Sequence, residues 1–164
     1  MVEIIIILVV VATVWFFFFR GQSLLVKHGQ KIKTAEKENT DVKYTYSLKE
    51  IELIDLINYH RTSLGLSKLK INNYVTSKCL QHNADMILAG EVSHSGFVDR
   101  SENIVRSLGV KSTGENIAYG YTAPSSIFKA WLKSSSHKEN LEDFKWTEMG
   151  LSITDKYITN IFIC

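Results

Sequence analysis

Three short segments pair a side chain that can hold a metal or move a proton with small or turn-forming neighbours: Val92-Ser-His94-Ser-Gly96, Gly114-Glu115-Asn116-Ile-Ala118 and Ser134-Ser-Ser-His137. Each falls at the expected end of an element, where loops and termini leave side chains accessible while the scaffold fixes them. Two imidazoles and a carboxylate form an open coordination set for a divalent metal, zinc above all, with a fourth place left for water. On that reading His94, Glu115 and His137 are the metal ligands. Glu115 is also the candidate catalytic group, as ligand or general base beside an activated water.

The competing readings of these residues are structural. His94 alone reads as a solvated loop histidine, and His137 as a surface residue of a first helical turn. Ser136-His-Lys-Glu139 matches a capping box, so His137 is expected at the positive end of a helix, which disfavours the charged imidazolium and keeps the metal-binding form. Glu115 is more pointed, because a glutamate in a strand-like segment between small residues is either exposed or paired. His82 falls inside a helical pattern and reads as a packed structural residue. Trp131 and Trp146 read as core. The chain carries no G-x-S-x-G elbow, Walker loop or H-E-x-x-H motif, so the common hydrolase, nucleotide and zincin signatures are absent.

The elements that must position these groups can be read from caps and periodicity. Ser47-Leu-Lys-Glu50 is a capping box, and Ile51, Ile54, Leu56 and Ile57 carry a helical rhythm from it to Leu64, before Gly65. Asn72 or Asn73 caps a second helix through Ala89, closed by Gly90, with Val75, Cys79, Met86 and Ile87 on an inward stripe. A short third helix is expected over Asp99–Leu108, closed by Gly109. Gly114–Ala118 alternates like a strand or extended turn. Thr122 and Pro124 open another helix through Lys133, proline being tolerated in a first turn. Met149–Thr154 and Tyr157–Ile163 read as two strands joined at Asp155-Lys156, a terminal hairpin. The expectation is an α+β domain whose helices flank a small antiparallel sheet.

Composition bounds the partners. A chain of 164 residues that is 45% hydrophobic and 22% charged, with one proline, has room for one folded domain and an appendage. Net charge is +2, yet residues 47–164 carry equal numbers of acidic and basic groups. The excess lies in Arg20, Lys27, Lys31, Lys33, Lys37 and Lys43. A nucleic-acid footprint needs a basic face on the folded domain, so no nucleic-acid partner is expected. Cys79 and Cys164 make neither a disulfide scaffold nor a C-x-x-C motif. Free thiols are the default expectation, Cys79 as a small buried hydrophobe.

Residues 1–20 are expected to anchor the protein in a membrane, with the membrane itself as the partner of this segment. Ile4–Phe19 holds no charge and covers roughly 24 Å as a helix, enough to span with local thinning or snorkelling of flanking residues. A cleaved signal peptide fits less well, since no basic stretch precedes the run and no small-residue cleavage site follows it. Residues 21–46 read as a basic polar linker and residues 47–164 as the domain. The lysines follow the apolar run, which by the positive-inside rule alone would place the domain in the cytoplasm.

His82-Asn-Ala-Asp-Met86, Ser93-His94-Ser95, Gly114-Glu-Asn-Ile-Ala118, Trp131, His137-Lys-Glu-Asn-Leu141 and Met149-Gly-Leu151 occur in an order and spacing that resembles the bacterial and archaeal branch of the CAP superfamily. That superfamily includes cysteine-rich secretory, venom-allergen and plant pathogenesis-related proteins. The resemblance covers about Ser47 to Cys164. It implies a three-layer α-β-α sandwich with a central cleft, in which two histidines and two glutamates bind divalent metal in some members. His94, Glu115 and His137 match three of those positions. The fourth, a glutamate three residues after the tryptophan, falls on Ser134, which leaves a His-Glu-His set. The resemblance also points to an extracytoplasmic domain, against the basic flank. The function expected first is a membrane-anchored binding module whose cleft, with or without metal, takes a small ligand, lipid or peptide. A metal-dependent hydrolase is the second reading, and a structural surface protein with a vestigial cleft the third.

Overall fold

The structure, a computed structural model, describes residues 43–164. The expected anchor at residues 1–20 and all but the last four residues of the expected linker lie outside the described residues. Among the described residues no helix is long and apolar enough to cross a membrane.

The chain runs α1 (Leu48–Ser63), β1 (Lys70–Ile71), α2 (Asn73–Ala89), α3 (Phe97–Leu108), β2 (Thr113–Tyr119), α4 (Pro124–Lys133), α5 (Ser135–Glu142), β3 (Glu148–Thr154) and β4 (Tyr157–Ile163). The local signals account for most of these bounds. Asn72 accepts from the Val75 N–H and Gly90 closes α2 at φ 66°, while Pro124 opens α4 and Gly109 closes α3 at φ 69°. The hairpin turns at Asp155, whose φ of 53° is one that aspartate tolerates better than most residues.

Strand order in the sheet is β1-β3-β4-β2. The pairs β2–β4 and β3–β4 are antiparallel, but β1 runs parallel to β3, with Lys70 opposite Glu148 and Ile71 opposite Met149. The sheet is therefore mixed, which corrects the expectation of a purely antiparallel one. Two residues are too short to show a strand period, and the parallel pairing joins residues 78 positions apart in sequence, Lys70 with Glu148 and Ile71 with Met149, so nothing local announces it.

Helices cover both faces. On one, Met149, Leu151, Ile158 and Phe162 pack with Leu53 and Ile57 of α1, Ile127 and Trp131 of α4 and Leu141 of α5. On the other, Ile161 and Ile163 pack with Tyr74, Val75 and Cys79 of α2 and Ile104 of α3. Strand alternation produces this division, since successive residues of β4 point to opposite faces. Cys79 and Cys164 are both free, Cys79 fully buried, and burial pushes its thiol well above the ordinary range.

The capping box of α1 does more than close a helix. Glu50 is buried, and its carboxylate accepts from the Ser47 N–H at 2.8 Å, the Tyr44 hydroxyl at 2.8 Å and the Ile153 N–H of β3 at 2.9 Å. Burial, together with the Glu50 carboxylate, pushes the Tyr44 hydroxyl up to about 12. Tyr46 bonds Thr76 Oγ1 of α2 at 2.6 Å. The ordered domain thus begins before Ser47. Glu50→Ala is expected to lower stability by roughly 2–3 kcal/mol, because it removes a cap and strands a β3 N–H away from water. A urea titration followed by circular dichroism measures this.

Candidate functional site

Glu115 sits in β2 opposite Ile161 of β4, and alternation turns its side chain toward α2 and α3. Its neighbours Gly114 and Asn116 turn toward α5. The Gly114–Asn116 segment therefore serves both faces of the sheet. A Cβ on Gly114 would meet Asn140 Oδ1 and Trp146 Cζ2, each at 2.8 Å, so only glycine lets α5 and Trp146 approach this closely. Asn116 donates to the His137 carbonyl at 3.0 Å and accepts from Asn140 Nδ2 at 2.9 Å, while Asn140 Nδ2 also reaches the Glu115 carbonyl at 3.3 Å. These bonds lock the first turns of α5 onto β2 and so position His137.

The Glu115 side chain is 1% exposed, and its partners compensate the burial of its charge. Arg100 of α3 donates through Nε to Oε2 at 3.0 Å and through Nη2 to Oε2 at 2.7 Å and Oε1 at 3.0 Å. This is the forked geometry in which guanidinium and carboxylate match best. Arg100 Nη1 donates to the Ser95 carbonyl at 3.1 Å. His94, in the loop between α2 and α3, donates from Nδ1 to Glu115 Oε1 at 2.9 Å while its side chain stays 55% exposed.

His82 lies behind the carboxylate in α2. Its Nε2 donates to the Ser93 carbonyl at 2.9 Å and lies 3.9 Å from Glu115 Oε1, and its buried Nδ1 has no hydrogen-bond partner. A carbonyl only accepts, so Nε2 carries a proton in this bond. Burial, reinforced by the Arg100 charge, holds His82 below the ordinary histidine value of 6.5. His137 is held below 6.5 as well, by burial first and then by the neighbouring His94 imidazole.

Both histidines are thus proton-poor in the folded state relative to the unfolded chain. Their contribution to stability is fully present above about pH 6.5 and is lost as pH falls toward the depressed folded values. The domain is expected to show a lower urea midpoint at pH 5.0 than at pH 7.5, and His82→Gln is expected to shrink that difference. An unchanged difference in the variant would remove His82 from this account.

The structure brings His94 and Glu115 into direct contact. It does not arrange them with His137 as a coordination sphere. Among the described residues no group of three or more histidine, cysteine, aspartate or glutamate side chains could hold a metal ion. Both Glu115 oxygens already accept from Arg100, one of them also from His94, and a cation seated on a carboxylate is a poor starting point for a second cation. As arranged, these residues do not fit a divalent metal.

The second capping box also differs from expectation. α5 begins at Ser135 with Ser134 at its N-cap and no side-chain capping bond, so His137 is the third helical residue rather than the first. Ser134, where the matching glutamate would stand, lies 3.3 Å from Ser136 Oγ through its own Oγ. Sequence reasoning missed Arg100, although a signal was present. Arg100, Ile104 and Leu108 are spaced four apart on one face of α3, Ile104 is fully buried, and an arginine on a buried stripe requires an acid. A pocket of about 450 Å³ between α2 and α3 is lined by Lys78, His82, Asp85, Ser95, Asp99 and Arg100 among others. It meets the site at His82 and Arg100.

Comparison with known proteins places the chain among similar bacterial ones. It is 28% identical over 144 residues to the uncharacterized membrane protein YlbC of Bacillus subtilis, a match covering 85% of this chain and 41% of that protein. It is 29% identical over 127 residues to the uncharacterized protein YkwD of the same organism, covering 74% of this chain and 49% of that one. The chain therefore spans less than half the length of each of these curated relatives. The fold matches an SCP-domain extracellular protein of Bacillus anthracis with a TM-score of 0.64 at 24% identity, covering 74% of this chain and 45% of that one. It also matches an outer surface protein of Borrelia burgdorferi with a TM-score of 0.63 at 21% identity, covering 73% and 95%. The family model described as "CAP: Cysteine-rich secretory protein family" matches residues 54–164, the span that holds every residue of the site, and the chain belongs to that family.

Proposed function

We propose that the protein is a membrane-anchored binding module, and that its cleft takes a small ligand, lipid or peptide without chemical turnover. The observation that carries this reading is the engagement of Glu115. A general base or metal ligand needs an oxygen it can offer, and Arg100 and His94 together occupy both. What the site does offer is a half-exposed imidazole at His94, and a pocket of about 450 Å³ that reaches it at His82 and Arg100, a size common for small-molecule sites.

The membrane part of the reading rests on the uncharged Ile4–Phe19 run and on the likeness to the membrane protein YlbC. We place the domain on the extracytoplasmic side, as for the extracellular protein of Bacillus anthracis that shares its fold. Protease added to intact cells should then digest the domain, whereas cleavage only after lysis would place it in the cytoplasm.

The test of binding against catalysis is a panel of peptide, ester and glycan substrates presented to the full chain, with His94→Ala and Glu115→Gln beside it. The expected result is no turnover that depends on either residue. Turnover lost in both variants would overturn the binding reading in favour of a hydrolase.

A further inference from the structure

We propose that Arg100 is the resident cation of this site, filling by hydrogen bonding the place at Glu115 that a divalent metal would otherwise take, so that the chain binds no metal there until Arg100 is removed. The carboxylate is almost wholly withdrawn from water and so needs a positive partner. Arg100 supplies one through three donor–acceptor contacts of 2.7–3.0 Å spread over both oxygens. The guanidinium is itself only 9% exposed. A fourth bond, to the Ser95 carbonyl, ties it to the loop that carries His94. Four further observations agree with this assignment. The nearest histidine behind the carboxylate, His82, uses its proton on Ser93 rather than on Glu115. His94 donates to Glu115 through Nδ1 instead of leaving that oxygen free. The position of the missing fourth acid is Ser134, so no second carboxylate stands by to help a metal displace a guanidinium. Gly96, where α3 begins, has a φ of 70°, and a Cβ there would stand 3.5 Å from Arg100 Nη1.

The assignment rests on the same engaged Glu115 as the binding reading, but metal titration tests the ion and the substrate panel tests turnover, so the two can fail separately. It predicts that replacing Arg100 by an uncharged residue exposes Glu115 to the imidazoles of His94 and His137 and creates a site for zinc.

Zinc chloride is titrated calorimetrically at pH 7.5 into the full chain in detergent micelles, with Arg100→Met, Arg100→Met/Glu115→Gln and His94→Ala/His137→Ala beside it. The parent is expected to show no zinc binding that the His94→Ala/His137→Ala variant loses. Arg100→Met is expected to bind zinc at least about 100-fold more tightly than the parent, since the metal no longer displaces three charge-assisted hydrogen bonds. The gain should vanish in Arg100→Met/Glu115→Gln. Zinc should also raise the Tm of Arg100→Met and leave the parent unchanged. Where Arg100→Met does not fold, Arg100→Lys, which keeps a charge but loses the fork, is expected to show a smaller gain in the same direction. Parent binding that needs Glu115 and both histidines would overturn the proposal. So would a folded Arg100 variant with no gain.

Discussion

Gly150→Ala is expected to be among the most damaging single substitutions in this domain, although it adds only one methyl group. The glycine lies in β3 beneath the first turn of α2, and a Cβ on it would stand 2.3 Å from the Thr76 N and 2.4 Å from the Val75 carbonyl carbon. Both are backbone atoms, so no rotamer change relieves the clash and α2 as a whole must lift from the sheet. Lifting it breaks the Asn72 N–H bond to the Met149 carbonyl at 2.9 Å and uncovers Val75 and Cys79, both fully buried. The expected loss is at least about 3 kcal/mol, the upper part of the range for overpacked cores. It should register as a large fall in urea midpoint by circular dichroism. Gly65→Ala is the informative contrast. Its φ is 77° but nothing lies within 4 Å of the added Cβ, so backbone strain alone acts, about 1 kcal/mol. Equal losses at the two glycines would mean that α2 is free to shift and that the close approach does not organise the core.

The second large effect is expected at Glu115→Ala. Here the damage comes from what is left behind, namely an arginine that is 9% exposed with only the Ser95 carbonyl for company. Breaking a buried pair from one side typically lowers stability by about 3–5 kcal/mol. His94→Ala removes one bond from a half-exposed side chain and should lose less than about 1 kcal/mol. Arg100→Met/Glu115→Gln, which leaves no lone charge, should recover most of the difference. Chemical denaturation of the parent, Arg100→Met, Glu115→Gln and Arg100→Met/Glu115→Gln gives the coupling between Arg100 and Glu115 directly. A Glu115→Ala loss no larger than that of His94→Ala would show that the pair is hydrated in solution, and with it would go the account of Glu115 as an engaged carboxylate.

How far the sequence could be read follows from how local each signal is. The bounds of α1, α2 and α4 and the hairpin of β3 and β4 were legible because Ser47 with Glu50, Asn72, Gly90, Pro124 and Asp155 each act within a few residues. The start of α5 was not, because two serines compete to cap it and the choice of Ser134 depends on how Asn116 and Asn140 dock the helix on β2. β1 was invisible, since its existence depends on a partner strand far along the chain. In the site, His94, Glu115 and His137 were picked out from residue type and resemblance, and the structure joins His94 directly to Glu115. Their roles were not legible. Whether Glu115 is a free ligand or an occupied one depends on Arg100, whose four-residue spacing with Ile104 and Leu108 puts it on the buried face of α3 but does not name its partner. Knowing that Glu115 is buried makes the search for its cation obligatory.

The buried Glu50 has a mechanical consequence. Tension arriving along the chain from before Lys43 meets Tyr44 and Tyr46 first, and these grip Glu50 of α1 and Thr76 of α2 rather than ending in a free strand. Through Glu50 the load passes to the Ile153 N–H of β3, and from there into the central pair of the sheet. A pull from that side therefore loads a helix and an interior strand together, and Met149, Leu151 and Phe162 share it before any edge can peel.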